Sequence, residues 1–382
     1  MTEHHADTRV FIDPVYGSGA SRNGSQDKDI ENPDWIGSTG GKFDFVMGDP
    51  PFSKSPGSMG TGGKIENLRV DHPYWSSILK KLEYYRVWSK GATDPYCMMI
   101  LGDSGVGKSA VIDQFVSMHP PIVTPEGRKV PILKVTTPAV PTMKALVEAI
   151  IITLLGRLPA KGTAEEQTAR LIEFLRIAGV EMIIIDEFQH VIEHGRAKFQ
   201  QATSDWLKNL ISLSHLPVVI VGMKRSKDIL TNPQLKRRFM TKVEIKKFIW
   251  SDSGRQKFGE FLTRIDDAMP FETKAGLGSE EMVGRFYYAS NGMLGTTMKT
   301  VRSAAHLAER KGLTSISLKE LSRAYRGSVT DGESIDPFSS KYADVKAALE
   351  KRLKENIRDR NPGANGNASR KGLTAEDVMR PK

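Results

Sequence analysis

Eight consecutive residues, Gly102-Asp103-Ser104-Gly105-Val106-Gly107-Lys108-Ser109, carry the pattern of a phosphate-binding loop in full. Its glycines let backbone N–H groups turn inward around a β-phosphate, and a helix starting there adds positive potential. In that chemistry Lys108 meets the β/γ-phosphates, Ser109 ligates Mg²⁺, and the cradle runs on to Ala110. A second group, Met182-Ile-Ile-Ile-Asp186-Glu187, ends an apolar run in two carboxylates. A buried strand there delivers Asp186 to the Mg²⁺ shell and sets Glu187 to polarise a water as general base. Adjacent acids favour hydrolysis over transfer to a small molecule. The third group is Asn232-Pro-Gln-Leu-Lys-Arg237-Arg238-Phe239. Its arginines suit either a reach across a subunit interface onto a neighbour's γ-phosphate or a solvated helix end. The residues alone leave both readings open.

Positioning these groups requires strands that end where the loops begin. Apolar runs at Tyr96–Leu101, Val130–Val135, Met182–Ile185, Val218–Val221 and Val243–Ile245 read as five strands. Helical patterns at Thr142–Leu155, Ala164–Ala178 and Ser204–Ser212 separate them, and Trp75, Ile78, Leu79, Leu82 and Tyr85 mark a helix ahead of the first. Such alternation predicts an α/β fold, a parallel sheet covered on both faces. Arg128-Lys129 reads as an exposed turn before a strand. From Ser253 the strand signals stop. Helices are expected at Arg255–Ala268, Ser279–Ala289, Thr296–Lys311 and Leu318–Tyr325, a small all-helical lid. The resulting division is a flexible Gly/Ser/acidic extension over 1–63, a nucleotide-binding core over 64–252, a lid over 253–328, and a basic helix with a disordered tail over 329–382.

Composition narrows the class. The 382 residues carry 55 basic and 45 acidic side chains, net +10, which favours a polyanionic partner. Residues 1–63 hold 11 of the 34 glycines and a net charge of −4, too little apolar surface to offset ordering entropy. The last 42 residues carry +5, so the remaining 277 are themselves basic at +9. A single cysteine, Cys97, excludes a disulfide framework or a Cys-rich metal site; it is expected buried and inert. No apolar run approaches the ~20 residues of a membrane span, and the polar start is unlike a signal peptide. The expectation is a soluble intracellular protein. His4-His5 reads as an accident of a flexible end, His190 as a packed or capping residue, and Met98-Met99 as core.

Together these groups resemble the AAA+ ATPases of the initiator and clamp-loader type, and more narrowly the TniB/TnsC family of transposition regulators. The narrower resemblance rests on Asp186-Glu187-Phe188-Gln189-His190, the loop Gly102–Ser109, the Gln234–Phe239 segment, and Ser290-Asn291-Gly292-Met293-Leu294-Gly295 leading into Lys299–Ala308. It covers about residues 65–325. The resemblance implies an AAA+ P-loop fold with a helical lid and an ATPase using ATP and Mg²⁺. It further implies rings or helical filaments of this chain around double-stranded DNA, and coupling of a target-selection protein to a transposase. A bacterial cytoplasmic setting follows, nucleoid-associated when DNA is bound, with no membrane partner. Its pattern places the interface arginine directly before Phe, so Arg238 is chosen over Arg237.

Two departures point to slow, regulatory hydrolysis. The lid stretch Gly292–Gly295 lacks the γ-phosphate arginine of many relatives, with Lys299 the nearest cation, and Met223 stands where a polar sensor is expected after the fourth strand. Ring-forming relatives grip DNA with elements between the second strand and the acidic strand. Here that region offers Lys144, Arg157 and Lys161, with Arg170 beside them, suited to phosphates rather than bases. Competing classes are a helicase loader or replication initiator, and a signalling NTPase switch without DNA. An initiator's appended helix-turn-helix does not fit the short, turn-rich C-terminal segment.

Overall fold

The computed structural model describes residues 65, 70 and 75–360, except 126, 158–160, 195–196 and 329–334. The expected extension 1–63 and tail 361–382 lie outside the described residues, as do His4 and His5.

All five expected strands form: β1 (Met98–Leu101), β4 (Ile132–Thr136), β5 (Met182–Asp186), β6 (Val218–Gly222) and β7 (Thr241–Glu244). They pair in parallel in the order β4-β5-β6-β1-β7. Between β1 and β4 lies a hairpin that the sequence did not announce, β2 (Ile122–Thr124) with β3 (Gly127–Lys129). Arg128 and Lys129, expected on a turn, form its second strand; both of its strands are largely exposed and show no apolar alternation.

The pleat sends successive side chains to opposite faces. Met98, Ile100, Ile184, Val219 and Val221 pack under α2 (Lys108–Met118), through Val111, Ile112 and Phe115, and under α1 (Trp75–Trp88). Met99, Leu101, Leu133, Val135, Ile183, Ile185 and Ile220 meet α3 (Met143–Leu155), α4 (Ala164–Ile177) and α6 (Ala197–Ser214) on the other face. Met98 and Met99 are thus core, as expected. Cys97 is also buried, and burial pushes its thiol up to about 12.

Local chemistry sets the helix ends. Thr142 caps α3 by accepting from the Ala145 amide, and Gly156 closes it in the left-handed region at φ 70°. Thr163 and Glu166 form a reciprocal capping box on α4. Helix α5 (Gln189–His194) follows β5, and α7 (Pro233–Arg238) is capped by Asn232 with Pro233 at its first position. Helix α6 begins at Ala197 rather than Ser204; its first turns are mostly polar and add only Phe199 to the stripe that continues at Trp206, Leu207 and Leu210.

After β7 the chain is helical: α8 (Asp252–Ala268), α9 (Glu280–Ser290), α10 (Leu294–Arg310), α11 (Leu318–Arg326) and α12 (Tyr342–Arg360). Phe258, Phe286, Val301, Phe338 and Leu349 join the apolar cluster that lies under α1 and α2. Helix α12 is tied to α9. The Arg352 guanidinium sits 4.3 Å over the Tyr288 ring and donates to the Tyr288 carbonyl at 3.0 Å, and Val345 and Leu349 are buried. Among the described residues no helix is long and apolar enough to cross a membrane.

One polar clamp ties α1 to the end of α2. Glu83 accepts from Arg86 Nε at 3.0 Å and lies 3.0 Å from His119 Nε2, while Arg86 also binds Glu181 ahead of β5. Burial pushes the Glu83 carboxyl up, but the hydrogen bonds and charges of His119 and Arg86 outweigh it and hold the pKa at about 2. A carboxylate so lowered stabilises the fold above its ordinary value of 4.5 and loses that contribution as pH falls toward about 2. With solvent screening, Glu83→Gln should cost about 1 kcal/mol near neutral pH. In urea unfolding the gap from the parent should shrink by about half near pH 3.5. An equal gap at both pH values would contradict the clamp.

Candidate functional site

The site begins where β1 ends. The Gly102 amide donates to the Gly222 carbonyl at the end of β6 (3.2 Å), and the Ile245 amide after β7 donates to the Leu101 carbonyl (2.8 Å). A Cβ on Gly102 would stand 2.5 Å from the Ile245 oxygen, so only glycine fits there. Beyond it the loop turns at Gly105 (φ 77°) and Gly107 (φ 98°) and enters α2 with no side-chain cap. The first amides of α2 are therefore left to a ligand.

Lys108 is only 6 % exposed, and its Nζ donates to the Gly102 and Asp103 carbonyls at 3.1 and 2.9 Å. Burial holds its ammonium below the usual lysine range, opposed by the carboxylates of Glu187, Asp186 and Asp103. A phosphate beside it would relieve that cost of burial.

Asp186 ends β5 opposite Thr136 of β4 and is 2 % exposed. Its Oδ1 accepts from the Glu187 amide at 2.8 Å, and its carbonyl accepts from Thr137 N and Oγ1, both at 2.9 Å. Glu187 itself is forced to φ +56°, a region that residues with a Cβ rarely adopt. Its carboxylate accepts from Gln189 Nε2, while Gln189 Oε1 accepts from the Met223 amide at 3.2 Å. Gln189 thus links the acid after β5 to the end of β6. Sequence reasoning assigns it no individual role, because one of its partners is a backbone amide 34 residues away. His190 faces Glu193 at 3.9 Å.

A cavity of about 690 Å³ joins these parts. Ser104, Gly105 and Gly107 to Ala110 line it, with Glu187, Gln189 and Met223 opposite. Val70, Trp75, Phe261, Leu294 and Met298 add apolar wall. Its remaining side is α10, which rests directly on the loop. The Gly295 amide donates to the Gly105 carbonyl at 2.7 Å, and a Cβ at Gly295 would crowd that oxygen at 3.0 Å. The lid start indeed carries no arginine, yet Lys299, Arg302 and His306 line the cavity from successive turns of α10. Arg302 is missed by inspecting only the first turn of the helix.

The arginines of α7 stand at the opposite end of the strands from the loop. The Arg238 carbonyl accepts from the Cys97 amide ahead of β1, whereas the loop follows β1 at its other end. Arg238 Nε pairs with Asp94 at 2.7 Å, and its Nη1 reaches Ser212 Oγ and the Lys208 carbonyl at 3.1 and 3.2 Å. Its side chain is 14 % exposed, against 72 % for Arg237. Neither can serve the cavity of its own chain.

Lys144, Arg157 and Lys161 are all exposed, but not clustered. Lys144 is in the first turn of α3, 3.8 Å from Glu148, while Arg157 and Lys161 follow the last turn. The helix between them is about 20 Å long. Arg170 donates to the Lys161 carbonyl at 3.2 Å.

A five-stranded parallel sheet in this order, a phosphate loop after β1, two acids after β5 and a helical lid over the cavity define an AAA+ P-loop ATPase. Residues 66–248 match the model of the family described as bacterial TniB protein. Solved structures share the fold at low identity. The ORC2 protein of Aeropyrum pernix, in ADPNP-ADP complexes, is 14 % identical with a TM-score of 0.53, over 70 % of this chain and 71 % of that one. Cdc6p from Pyrobaculum aerophilum is 13 % identical at 0.54, over 78 % and 89 %. The ORC1 protein of Aeropyrum pernix, in complex with DNA, is 14 % identical at 0.52, over 71 % of each. No curated protein sequence matches the chain.

Two substitutions separate binding from turnover. Lys108→Ala should abolish ATP binding in calorimetry without unfolding the chain, since its ammonium hydrogen-bonds to two carbonyls of its own loop and its removal leaves no buried cation to match. Gln189→Ala frees the Glu187 side chain and should lower kcat by roughly 10²-fold while nucleotide affinity stays near the parent's. Equal loss of affinity and turnover in Gln189→Ala would show that it binds nucleotide rather than aligning the acid.

Proposed function

We propose that the chain is an ATP-gated, DNA-binding regulator of transposition. It assembles on duplex DNA as a ring or helical filament and couples a target-selection protein to a transposase in the bacterial cytoplasm. The observation that carries this reading is the cavity in which the phosphate loop, Glu187 and the lid meet, in a chain whose core matches the TniB model. In this reading 64–252 is the nucleotide core, 253–328 the lid and 329–382 the basic helix and tail.

The residues fit ATP with magnesium. The Gly102 amide is committed to β6, so the loop amides that follow it, up to Ala110, would face the phosphates; Lys108 would neutralise them, and the apolar wall of Val70, Trp75, Phe261 and Met298 suits a base. Ser109 and Asp186 would hold the Mg²⁺, which when bound neutralises phosphate charge. Glu187 takes the proton of the attacking water, held in place by Gln189. Lys299 and Arg302 offer γ-phosphate contacts further along α10 than the usual place in the lid, so the lid closes around the triphosphate form. Arg238 is the cross-subunit arginine of the family pattern. Exchanging its bond to Asp94 for a neighbour's γ-phosphate would make assembly and hydrolysis interdependent.

Duplex DNA binding should be salt-steep and nearly sequence-independent, because released counterions drive phosphate binding. Lys144, Arg157 and Lys161 lie along about 20 Å of surface, enough to follow one strand's backbone. Fluorescence anisotropy with an ATP analogue, at several salt concentrations, tests this. Replacing the three together should weaken binding to every duplex and flatten the salt slope by about 0.9 for each phosphate no longer neutralised. An unchanged slope removes these residues from the interface. If the parent shows no ATP-dependent duplex binding at any salt, the transposition reading is wrong.

A further inference from the structure

Lys134 is the one cation in the strand Ile132-Leu-Lys-Val-Thr136. Alternation puts it on the face of Ile132, toward α2, beside the apolar Ile184 of β5 and largely out of solvent. A lysine in such a place is costly unless its charge is met. Two carboxylates meet it. Its Nζ lies 2.5 Å from Asp113 Oδ1 and 3.5 Å from Asp186 Oδ2. Asp113 is on α2, one turn beyond Ser109, and lines the same cavity. The two acids differ in exposure: the Asp186 side chain is 4 % exposed and the Asp113 side chain 50 %.

An ammonium 3.5 Å from an Asp186 oxygen stands where positive charge bound to that carboxylate would have to go. Two cations sharing one buried carboxylate repel strongly at such range. Lys134 has an alternative partner already at hand, because its closer contact is with Asp113. We propose that Lys134 is a charge gate on Asp186. Its ammonium competes with a divalent cation for that carboxylate, and Asp113 holds the ammonium aside when the cation binds. The gate rests on the reading of Asp186 as the metal carboxylate. It makes Lys134 and Asp113 positioning residues that set the cation concentration at which the site loads. Without Lys134, Asp186 would lose one of the two cations beside it and would take up metal more readily, even before nucleotide.

The two arms of the gate predict opposite signs, which a merely structural role does not. The probe is Mn²⁺, its free concentration read by electron paramagnetic resonance, with full-length protein and ATPγS. Lys134→Met should tighten Mn²⁺ binding by roughly tenfold or more, since a neighbouring positive charge is gone. Asp113→Asn leaves the ammonium only Asp186 and should weaken Mn²⁺ binding several-fold. Lys134→Arg keeps the charge and should stay near the parent. Asp186→Asn is the control for the underlying reading and should weaken Mn²⁺ binding most. If Asp186→Asn has no effect, Asp186 is not the metal carboxylate and the gate falls with that reading. If Asp186→Asn weakens binding but Lys134→Met and Asp113→Asn leave it unchanged, or shift it the same way, the gate alone is overturned. Thermal melts confirm that each variant is folded. Should Lys134→Met fail to fold, an unchanged Asp113→Asn is sufficient to overturn the proposal.

Discussion

The site depends on how closely the end of β1 is held between its neighbours. Gly102 hydrogen-bonds to the end of β6 while the residue before it receives the Ile245 amide from beyond β7. With no room for a Cβ, the chain must leave the sheet at that point. The phosphate loop is therefore anchored by two strands and not by side-chain capping. Because β5 is the other neighbour of β6, Asp186 and Glu187 emerge beside the same edge. Ligand sites at the C-terminal ends of parallel strands follow from this geometry in α/β sheets generally.

Charge is the second constraint. Lys108 and Lys134 are both poorly exposed cations, and Asp186 and Glu187 stand near them with Asp113. Lys108 is held by carbonyls and is short of a full counter-charge, which suits a phosphate. Lys134 is already matched by carboxylates, which suits a switch. The lid contributes further cations through Lys299 and Arg302, while its first turn contributes the Gly295 amide and the apolar Leu294 side chain. Gly295 lets α10 rest on Gly105, so any movement of the loop on binding is felt by the lid helix.

The strands are legible in the sequence because β1, β5 and β6 are fully buried apolar runs, and the motifs because their chemistry is local. The hairpin β2–β3 is not, since its exposed residues carry no pattern. Gln189 and Lys134 are also hidden. The first acts through a backbone amide after β6, and the second sits in a strand where periodicity reads only the apolar neighbours. Arg302 escapes notice because its turn of α10 faces the cavity only once the lid is folded back on the loop. Each omission concerns a contact between segments distant in sequence, which patterning within one segment cannot report.

If the loop, the acidic pair and the lid are one nucleotide site, hydrogen–deuterium exchange with and without Mg²⁺–ATPγS should report them as one. Amides in 102–110, 186–190 and 294–303 should gain protection together, at one nucleotide concentration, and Lys108→Ala should abolish all three changes. Protection confined to 102–110, with the acidic turn and α10 unchanged, would contradict a single site.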